Sequence, residues 1–474
     1  MGVTEQLARF AMETPAGFMT PALLQSAKVK FFDTIAVMVA GAHHPAGRMA
    51  ARLARDLGGR PSATLIGHAD RSSPTEAGFV NGVAAHAHEY DDFTRGVGHA
   101  NVVLVPGCIA LAESLGVSGL AMLEAYAMGF EITTRVAKGL RPALLDHGWH
   151  PVGIVGGQGV AAAGCRMMGL DTMHARMAMG IMASSGSGVR KNVGSMGKAF
   201  HVGHGVRSGI HAALLARQGF AVDPDIIEGA DASEGEGHQR FGLADTFNGI
   251  GNHRLHLMVQ GLGQDELELG RPTTMLRMYP GCTSSGAAVE TAIALATEID
   301  LNPADIDDVL YECTPHCRAV APYPEPLDDH KSKFCLPYTM AVALTDRKAG
   351  IAQYAEKRVA DPALHALVRK IRVQVPDDLQ HHRGQWGENG VNWAEMRVTV
   401  RLKNGAMLTR GGRYAQGYPE MPASWEDQKA KYVECAEGIL SPAQIDETSE
   451  MIAGLERLDD LRELTAALAP RPAS

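Results

Sequence analysis

The feature that most constrains the fold is a series of long helix-type segments that fills the chain between residues 20 and 261. Within each segment apolar residues recur at helical spacing, and several segments are apolar nearly all round. Short breaks containing Gly, Pro or Asp separate them. The segments span residues 23–40, 75–88, 107–115, 120–138, 157–168 and 205–218. Helices that are apolar on every side are buried, so this pattern predicts a large all-helical domain without a parallel sheet.

The composition narrows the class of protein further. The net charge is −9 and the basic residues are scattered, whereas a nucleic-acid-binding protein needs a basic face. No apolar run reaches the roughly 20 residues that cross a bilayer, and the N-terminus lacks the pattern of a signal peptide. Seven scattered cysteines fit a reducing compartment better than a disulfide scaffold. The sequence therefore predicts a cytoplasmic globular protein with no nucleic-acid or membrane partner.

The pattern changes after residue 265. A helix over residues 285–298 and another from residue 338 alternate with runs of period-two patterning, at residues 309–314, 370–375 and 396–402. The turn pair Asn404-Gly405 and a run at 407–410 follow, which indicates a hairpin. We therefore predict an all-helical domain over residues 1–266, completed by C-terminal helices at 418–474, and a smaller α+β domain over residues 267–417.

The first candidate for chemistry is the stretch HAHEYDDFTRGVGH, residues 86–99. Three carboxylates and three imidazoles in such a short stretch are costly to bury without a task. Two other interpretations stay open at this point: a solvated helix end, and the metal site of a hydrolase using His86 and His88. Against the metal site, residues two apart on a helix face different sides.

Two further motifs contain a polar residue within a Gly-rich stretch. His150 precedes a Gly- and Ala-rich helix, and the match of residues 157–162 to a dinucleotide loop fails because no strand precedes it. Lys198 lies in GSMGKAFH, which fails the phosphate-loop pattern but suits carboxylate binding or proton transfer. Taken alone, His150 could equally cap a turn, and Lys198 could equally lie on the surface.

In this order, these motifs resemble the MmgE/PrpD family, which includes 2-methylcitrate dehydratase, cis-aconitate decarboxylase and iminodisuccinate epimerase. The resemblance runs almost the full length of the chain. It also rests on the segments DTIA (33–36), AGFVNG (77–82), KAFHVG (198–203), YPGC (279–282), KFCLPY (333–338) and GYP (417–419).

The resemblance implies a large helical domain with a smaller α+β lid, an active site in the cleft between them, and a homodimer without metal or organic cofactor. It implies that the polar residues of the pocket include four catalytic candidates, His99, His150, Lys198 and Tyr338. The predicted substrate-binding residues are Glu89, Asp91, Asp92, Phe93, Arg277 and Cys282.

Four positions depart from the family pattern. Phe93 stands where many relatives have Thr, Arg277 where they usually have Lys, and Gly286 where many have His. Cys282 takes the position of a second pocket histidine of the decarboxylase. The proton-transfer residues are thus kept while the substrate-recognition side is altered.

The expected function is that of a cofactor-independent lyase acting on a small di- or tricarboxylate. Its chemistry would be proton abstraction next to a carboxylate, as in 2-methylcitrate dehydratase. The alternatives are an epimerase of a substituted dicarboxylate and a decarboxylase resembling cis-aconitate decarboxylase. His99 and His150 are the candidate acid and base, Lys198 and Arg277 the candidates for holding carboxylates, and Tyr338 a candidate proton donor.

Overall fold

A computed structural model of the chain describes residues 1–229, 241–380 and 394–471. The chain is mainly α-helical with a smaller α+β part, which confirms the predicted fold class. It divides into two compact units. The first, the helical unit, comprises Met1–Ala87, Thr94–Thr273 and Cys435–Ser474. The second, the α+β unit, comprises His88–Phe93 and Thr274–Glu434.

The helical unit is built mainly from long helices. Before residue 274 its α-helices, short ones included, are α1 (Val3–Glu13), α2 (Pro21–Ala42), α3 (Pro45–Leu57), α4 (Pro74–Ala87), α5 (Asn101–Leu115), α6 (Gly119–Leu140), α7 (Ala143–Asp146), α8 (Pro151–Met167), α9 (Thr172–Ser185), α10 (Met196–Arg217), α11 (Leu243–Asn248) and α12 (Leu255–Val259). Two-residue strands lie at β1 (Ala63–Thr64), β2 (Arg71–Ser72), β3 (Phe93–Thr94) and β4 (Thr274–Met275).

Small residues let the central helices of this unit pack closely. A Cβ added at Gly159 of α8 would lie 2.3 Å from the carbonyl oxygen of Gly129 in α6. One added at Gly203 of α10 would lie 2.6 Å from the carbonyl oxygen of Phe79 in α4. Real Cβ atoms do not approach an oxygen so closely, so these helix pairs require glycine where they cross.

Two helices begin earlier than the sequence predicts. They are α5, at Asn101 instead of 107, and α10, at Met196 instead of 205. Their first turns contain Pro or several Gly, which have low helix propensity. Burial of these turns outweighs that preference, as for Pro106, which lies inside α5.

The α+β unit is built on a four-stranded sheet in the order β6-β5-β7-β8. The strands are β5 (Ile306–Cys313), β6 (Ile371–Gln374), β7 (Met396–Leu402) and β8 (Met407–Gly412). β5 pairs in parallel with β6 and antiparallel with β7, which forms the predicted hairpin with β8. Gly405 adopts φ +88° in the turn, which is the left-handed region that glycine tolerates.

Helices contribute to the apolar core of this sheet. They are α13 (Gly286–Glu298), α14 (Pro315–Val320), α16 (Leu336–Asp346), α17 (Glu356–Val359) and α18 (Pro362–Val368). Two more helices lie along the same stretch of chain, α15 (Asp329–Ser332) and α19 (Trp425–Ala436). α20 (Pro442–Ala453) and α21 (Arg462–Ala467) follow and belong to the helical unit. Across the part of the chain that the structure describes, no helix combines the length and the apolar character that a membrane span requires.

Candidate functional site

Four imidazoles and one ammonium group lie together in the interior of the helical unit. We call this set the histidine cluster; its members are His86, His99, His150, Lys198 and His201. All five side chains are buried. Buried imidazoles and a buried lysine in one place are unusual in a structural core, so the cluster is the first candidate for chemistry.

The rings of the cluster are in mutual contact. The ring centroid of His86 lies 4.6 Å from that of His99 and 6.2 Å from that of His150. The centroids of His150 and His201 are 5.3 Å apart, and their Nδ1 atoms are 3.2 Å apart, within hydrogen-bond distance.

Burial lowers the pKa of His150 well below its usual value, and the charge of Lys198 lowers it further. Burial likewise lowers the pKa of His201. Both rings are therefore neutral near pH 7, and one Nδ1–H donates to the other Nδ1. The donating ring carries its proton on Nδ1, so its Nε2 has a free lone pair and can act as a base.

Local backbone structure explains how the sequence positions these groups. His150 is the residue before Pro151, which starts α8, and its N–H donates to the carbonyl of Gly188 at 2.7 Å. Gly188 has φ +138°, and a Cβ there would lie 3.0 Å from the His150 carbonyl oxygen. Lys198 and His201 are three residues apart in α10, so they share one face of that helix.

A second group of buried charges lies within the α+β unit. It is formed by Arg277 and by residues His88–Phe93, which we call the acidic segment. Arg277 donates to the backbone and side-chain oxygens of Asp91 and to the carbonyl of Gly281, and its Nη1 lies 3.5 Å from Glu89 Oε2. The side chains of Arg277 and Asp91 are only 4% and 0% exposed, so this is a buried ion pair.

The acidic segment follows the end of α4 at Ala87, so His88 lies beyond the helix. The argument from helix geometry against a shared metal assumed that both His86 and His88 lie on the helix, so it does not apply. Glu89 has φ +54°, a left-handed conformation uncommon for residues other than glycine. Its carbonyl accepts a hydrogen bond from the N–H of Gly281 at 2.8 Å. A costly backbone conformation fixed in this way fits a functional constraint on the segment.

The remaining predicted substrate-binding residues also belong to the α+β unit. Cys282 follows Gly281, its thiol lies 2.9 Å from Ser284 Oγ, and burial raises its pKa to about 11. Asp92 is fully buried and contributes to the electrostatic environment of Arg277. Phe93 is half-buried and packs against an apolar cluster that includes Tyr418.

Tyr338 lies in the hydrophobic core of the α+β unit. Its hydroxyl donates to the carbonyl of Gln353 at 2.6 Å, its ring lies 5.9 Å from that of Tyr354, and burial raises its pKa. The structure thus groups His99, His150 and Lys198 in one unit, and Glu89, Asp91, Arg277 and Cys282 in the other. The Tyr338 hydroxyl donates its hydrogen bond to the backbone carbonyl of Gln353.

Sequence reasoning missed three buried basic residues. His201 had a signal, because it lies one helical turn from Lys198. Lys333 is buried, which lowers its pKa, and its carbonyl accepts from the N–H of Cys282. Lys431 contacts Tyr90, which is 341 residues away in the sequence, so no local pattern could reveal it.

Comparison with known proteins identifies the family of the chain. Residues 5–235 match the family model of the MmgE/PrpD N-terminal domain, and residues 279–457 match that of the MmgE/PrpD C-terminal domain. The chain is 25% identical to the cis-aconitate decarboxylase of Homo sapiens, over 99% of this chain and 95% of that protein. It is 23% identical to the cis-aconitate decarboxylases of Mus musculus and Aspergillus terreus, over 98% of this chain and 93% and 96% of theirs. The chain belongs to the MmgE/PrpD family.

Proposed function

We propose that the chain is a cofactor-independent lyase that acts on a small di- or tricarboxylate by moving a proton at the carbon next to a carboxylate. The observation that carries the proposal is the buried pair of neutral imidazoles, His150 and His201, beside Lys198. A general base must be unprotonated at the working pH, and a nearby cation stabilises the negative charge that develops when it acts.

The first reaction step is assigned to the His150–His201 pair. The ring whose Nε2 is free removes a proton, so a C–H bond breaks, an N–H bond forms, and the electron pair stays on carbon. Lys198 pairs with the substrate carboxylate and offsets the added charge. His99, which contacts His86, delivers a proton to the leaving hydroxyl, which departs as water while the carbon–carbon double bond forms.

We reassign two predicted roles because the side chains concerned already make hydrogen bonds within the protein. The Arg277 guanidinium already serves Asp91, Gly281 and Glu89, so we assign it the orientation of these carboxylates in place of a direct grip on substrate. The Tyr338 hydroxyl serves Gln353, so we assign the proton donor role to His99. Direct substrate contact by Glu89, Asp91, Asp92, Phe93 and Cys282 stays a prediction from the family resemblance.

Decarboxylation of cis-aconitate is the second candidate, because the similarity to cis-aconitate decarboxylases extends over almost the whole chain. In that reaction a carbon–carbon bond breaks, carbon dioxide leaves, and the carbanion takes up a proton. Lys198 would offset the same negative charge, and a protonated imidazole would deliver the proton. Phe93 and Cys282 depart from the family pattern, so the substrate has to be identified by experiment.

The test is a substrate panel followed by proton NMR with purified protein. The panel holds citrate, 2-methylcitrate, cis-aconitate, and hydroxylated and amino-substituted dicarboxylates, all incubated in deuterated buffer. A new alkene signal from a hydroxy acid supports the dehydratase, and loss of one carbon from cis-aconitate supports the decarboxylase. Deuterium uptake without a new alkene contradicts the dehydratase and indicates an epimerase.

A metal-dependent hydrolase using His86 and His88 is the alternative from another enzyme class. Elemental analysis of the same preparation separates it from the lyase. Stoichiometric zinc or manganese, together with no turnover of any acid in the panel, would overturn the proposed function.

A further inference from the structure

Lys431 is a buried lysine in α19 that no sequence motif singles out. Its Nζ donates to the carbonyl oxygen of Tyr90 at 2.7 Å and to that of Arg277 at 2.8 Å. The same Nζ lies 4.2 Å from the centroid of the Tyr90 ring. The residue is only 3% exposed, so an ammonium group has been taken out of water to make these contacts.

The two carbonyls belong to the two chain segments whose side chains form the buried charges of the α+β unit. Three consecutive residues of the acidic segment bond to residues 277–281. The Glu89 carbonyl accepts from the Gly281 N–H, the Tyr90 hydroxyl donates to the Met278 carbonyl at 3.1 Å, and Asp91 accepts from Arg277. Lys431 adds a cation from outside both segments, which holds a carbonyl from each of them.

We propose that Lys431 is a positioning residue, which fixes the acidic segment in register with residues 277–281 and so keeps Asp91 and Glu89 oriented. The effect of this positioning on catalysis rests on the proposed function. Lys431 acts through the backbone carbonyls of Tyr90 and Arg277, and it has no direct role at the substrate.

The chemistry of lysine suits this task. An ammonium group has three donors and no acceptor, so it can bind two carbonyl oxygens and still contact the face of an aromatic ring. Methionine has nearly the same length and volume but no donor. Replacing Lys431 with Met would leave both carbonyls without that donor, and the two segments would be held in register less tightly. A misplacement of about 1 Å near reacting groups can cost on the order of 100-fold in rate.

The experiment compares Lys431→Met with the wild type and with Lys357→Met, which changes an exposed lysine of the same unit. Hydrogen–deuterium exchange with mass spectrometry follows peptides covering residues 277–283 and, as an internal reference, residues 396–402. We expect exchange at the Gly281 amide to rise at least tenfold in Lys431→Met and to stay unchanged in Lys357→Met. Strand β7, which is paired on both sides, should keep wild-type exchange in both variants.

Activity supplies a second and separate readout, with the acid that the substrate panel identifies. Positioning predicts that kcat of Lys431→Met falls at least tenfold per folded molecule, that KM changes less, and that Lys431→Arg recovers part of the loss. Exchange at Gly281 equal to that of the wild type would overturn the proposal, as would an unchanged kcat. Fast exchange of Lys431→Met in every peptide, including residues 396–402, would show that this variant does not fold. The same two measurements on Lys431→Gln then test the proposal.

The two proposals fail in different ways. A wild-type protein that turns over no acid contradicts the proposed function, while the exchange at Gly281 still tests whether Lys431 fixes the two segments.

Discussion

His150 and His201 share a hydrogen bond between their Nδ1 atoms, 3.2 Å apart, in the interior of the helical unit. Because burial keeps both rings neutral, the bond divides them into a donor with a basic Nε2 and an acceptor whose proton is on Nε2. A buried histidine whose Nδ1 makes no hydrogen bond has no such constraint on its tautomer. The pair is thus a base of defined orientation beside the cation of Lys198.

Replacing either partner should abolish most of the activity. We expect His150→Gln and His201→Gln each to lower kcat by about 100- to 10,000-fold, the range of general acid–base catalysis. His174→Gln, which changes a partly exposed histidine paired with Asp171, is the matched control and should retain wild-type kcat. Steady-state kinetics of the three variants makes the comparison. A His150→Gln variant with more than a tenth of wild-type kcat would argue against the base role.

The lowered pKa of His150 predicts the acid side of the pH profile. Because burial and Lys198 hold the ring neutral, the acid limb of kcat/KM should lie below the ordinary histidine pKa of about 6.5. An acid limb centred above pH 7 would contradict this assignment.

The same shift predicts how stability depends on pH. Below about pH 6.5 the unfolded chain binds a proton at His150 that the folded chain does not, so the free energy of unfolding falls as the pH falls. The dependence continues until the pH reaches the lowered pKa of the folded state. Urea unfolding from pH 5 to 8 should show this decline, and His150→Gln should make it shallower. An equal slope in both proteins would show that His150 does not titrate in this way.

Lys198 should act mainly by binding the substrate carboxylate and by offsetting the negative charge that develops on carbon. Lys198→Met removes the cation, so we expect KM to rise at least tenfold and kcat to fall, because the carboxylate and the developing carbanion both lose their counter-charge. The control is Lys191→Met, at an exposed lysine just before α10. Equal KM values in the two variants would place the carboxylate elsewhere.

Breaking the buried ion pair of Arg277 should destabilise the protein. Arg277→Met leaves Asp91 and Glu89 as buried charges without their cation, which typically costs about 3–5 kcal/mol. The control is Arg413→Met, at an ion pair with Glu395 whose arginine is exposed, where little change is expected. Urea unfolding monitored by circular dichroism measures both. Adding Asp91→Asn to Arg277→Met should restore part of the loss, and no recovery would show that the charge of Asp91 is not the cause.

Apolar periodicity predicted much of the fold, because burial decides which segments become helices and strands. The run at 396–402 coincides with β7, and the pair Asn404-Gly405 forms the hairpin turn. The starts of α5 and α10 escaped prediction because their Pro and Gly residues favour breaks locally, while tertiary packing favours helix.

The candidate site could be predicted only where its residues form local patterns. The motifs around His99, His150 and Lys198 identified three members of one buried cluster. The engagement of Tyr338 by Gln353 and the contacts of Lys431 depend on long-range packing, which a single sequence does not display. A polar residue in a motif indicates a position of interest, but only its hydrogen bonds show whether its polar atom is already used.

The most direct test of the central claim is solvent-proton exchange at the reacting carbon, followed by proton NMR in deuterated buffer with the acid that the panel identifies. We predict that wild-type protein changes the hydrogen at the carbon next to the carboxylate: dehydration removes a proton there, and decarboxylation or return of the carbanion to substrate adds deuterium from solvent. We expect His150→Gln to do so at least 100-fold more slowly. Turnover that leaves the hydrogen of that carbon unchanged, or equal rates for the two proteins, would contradict the proposed function.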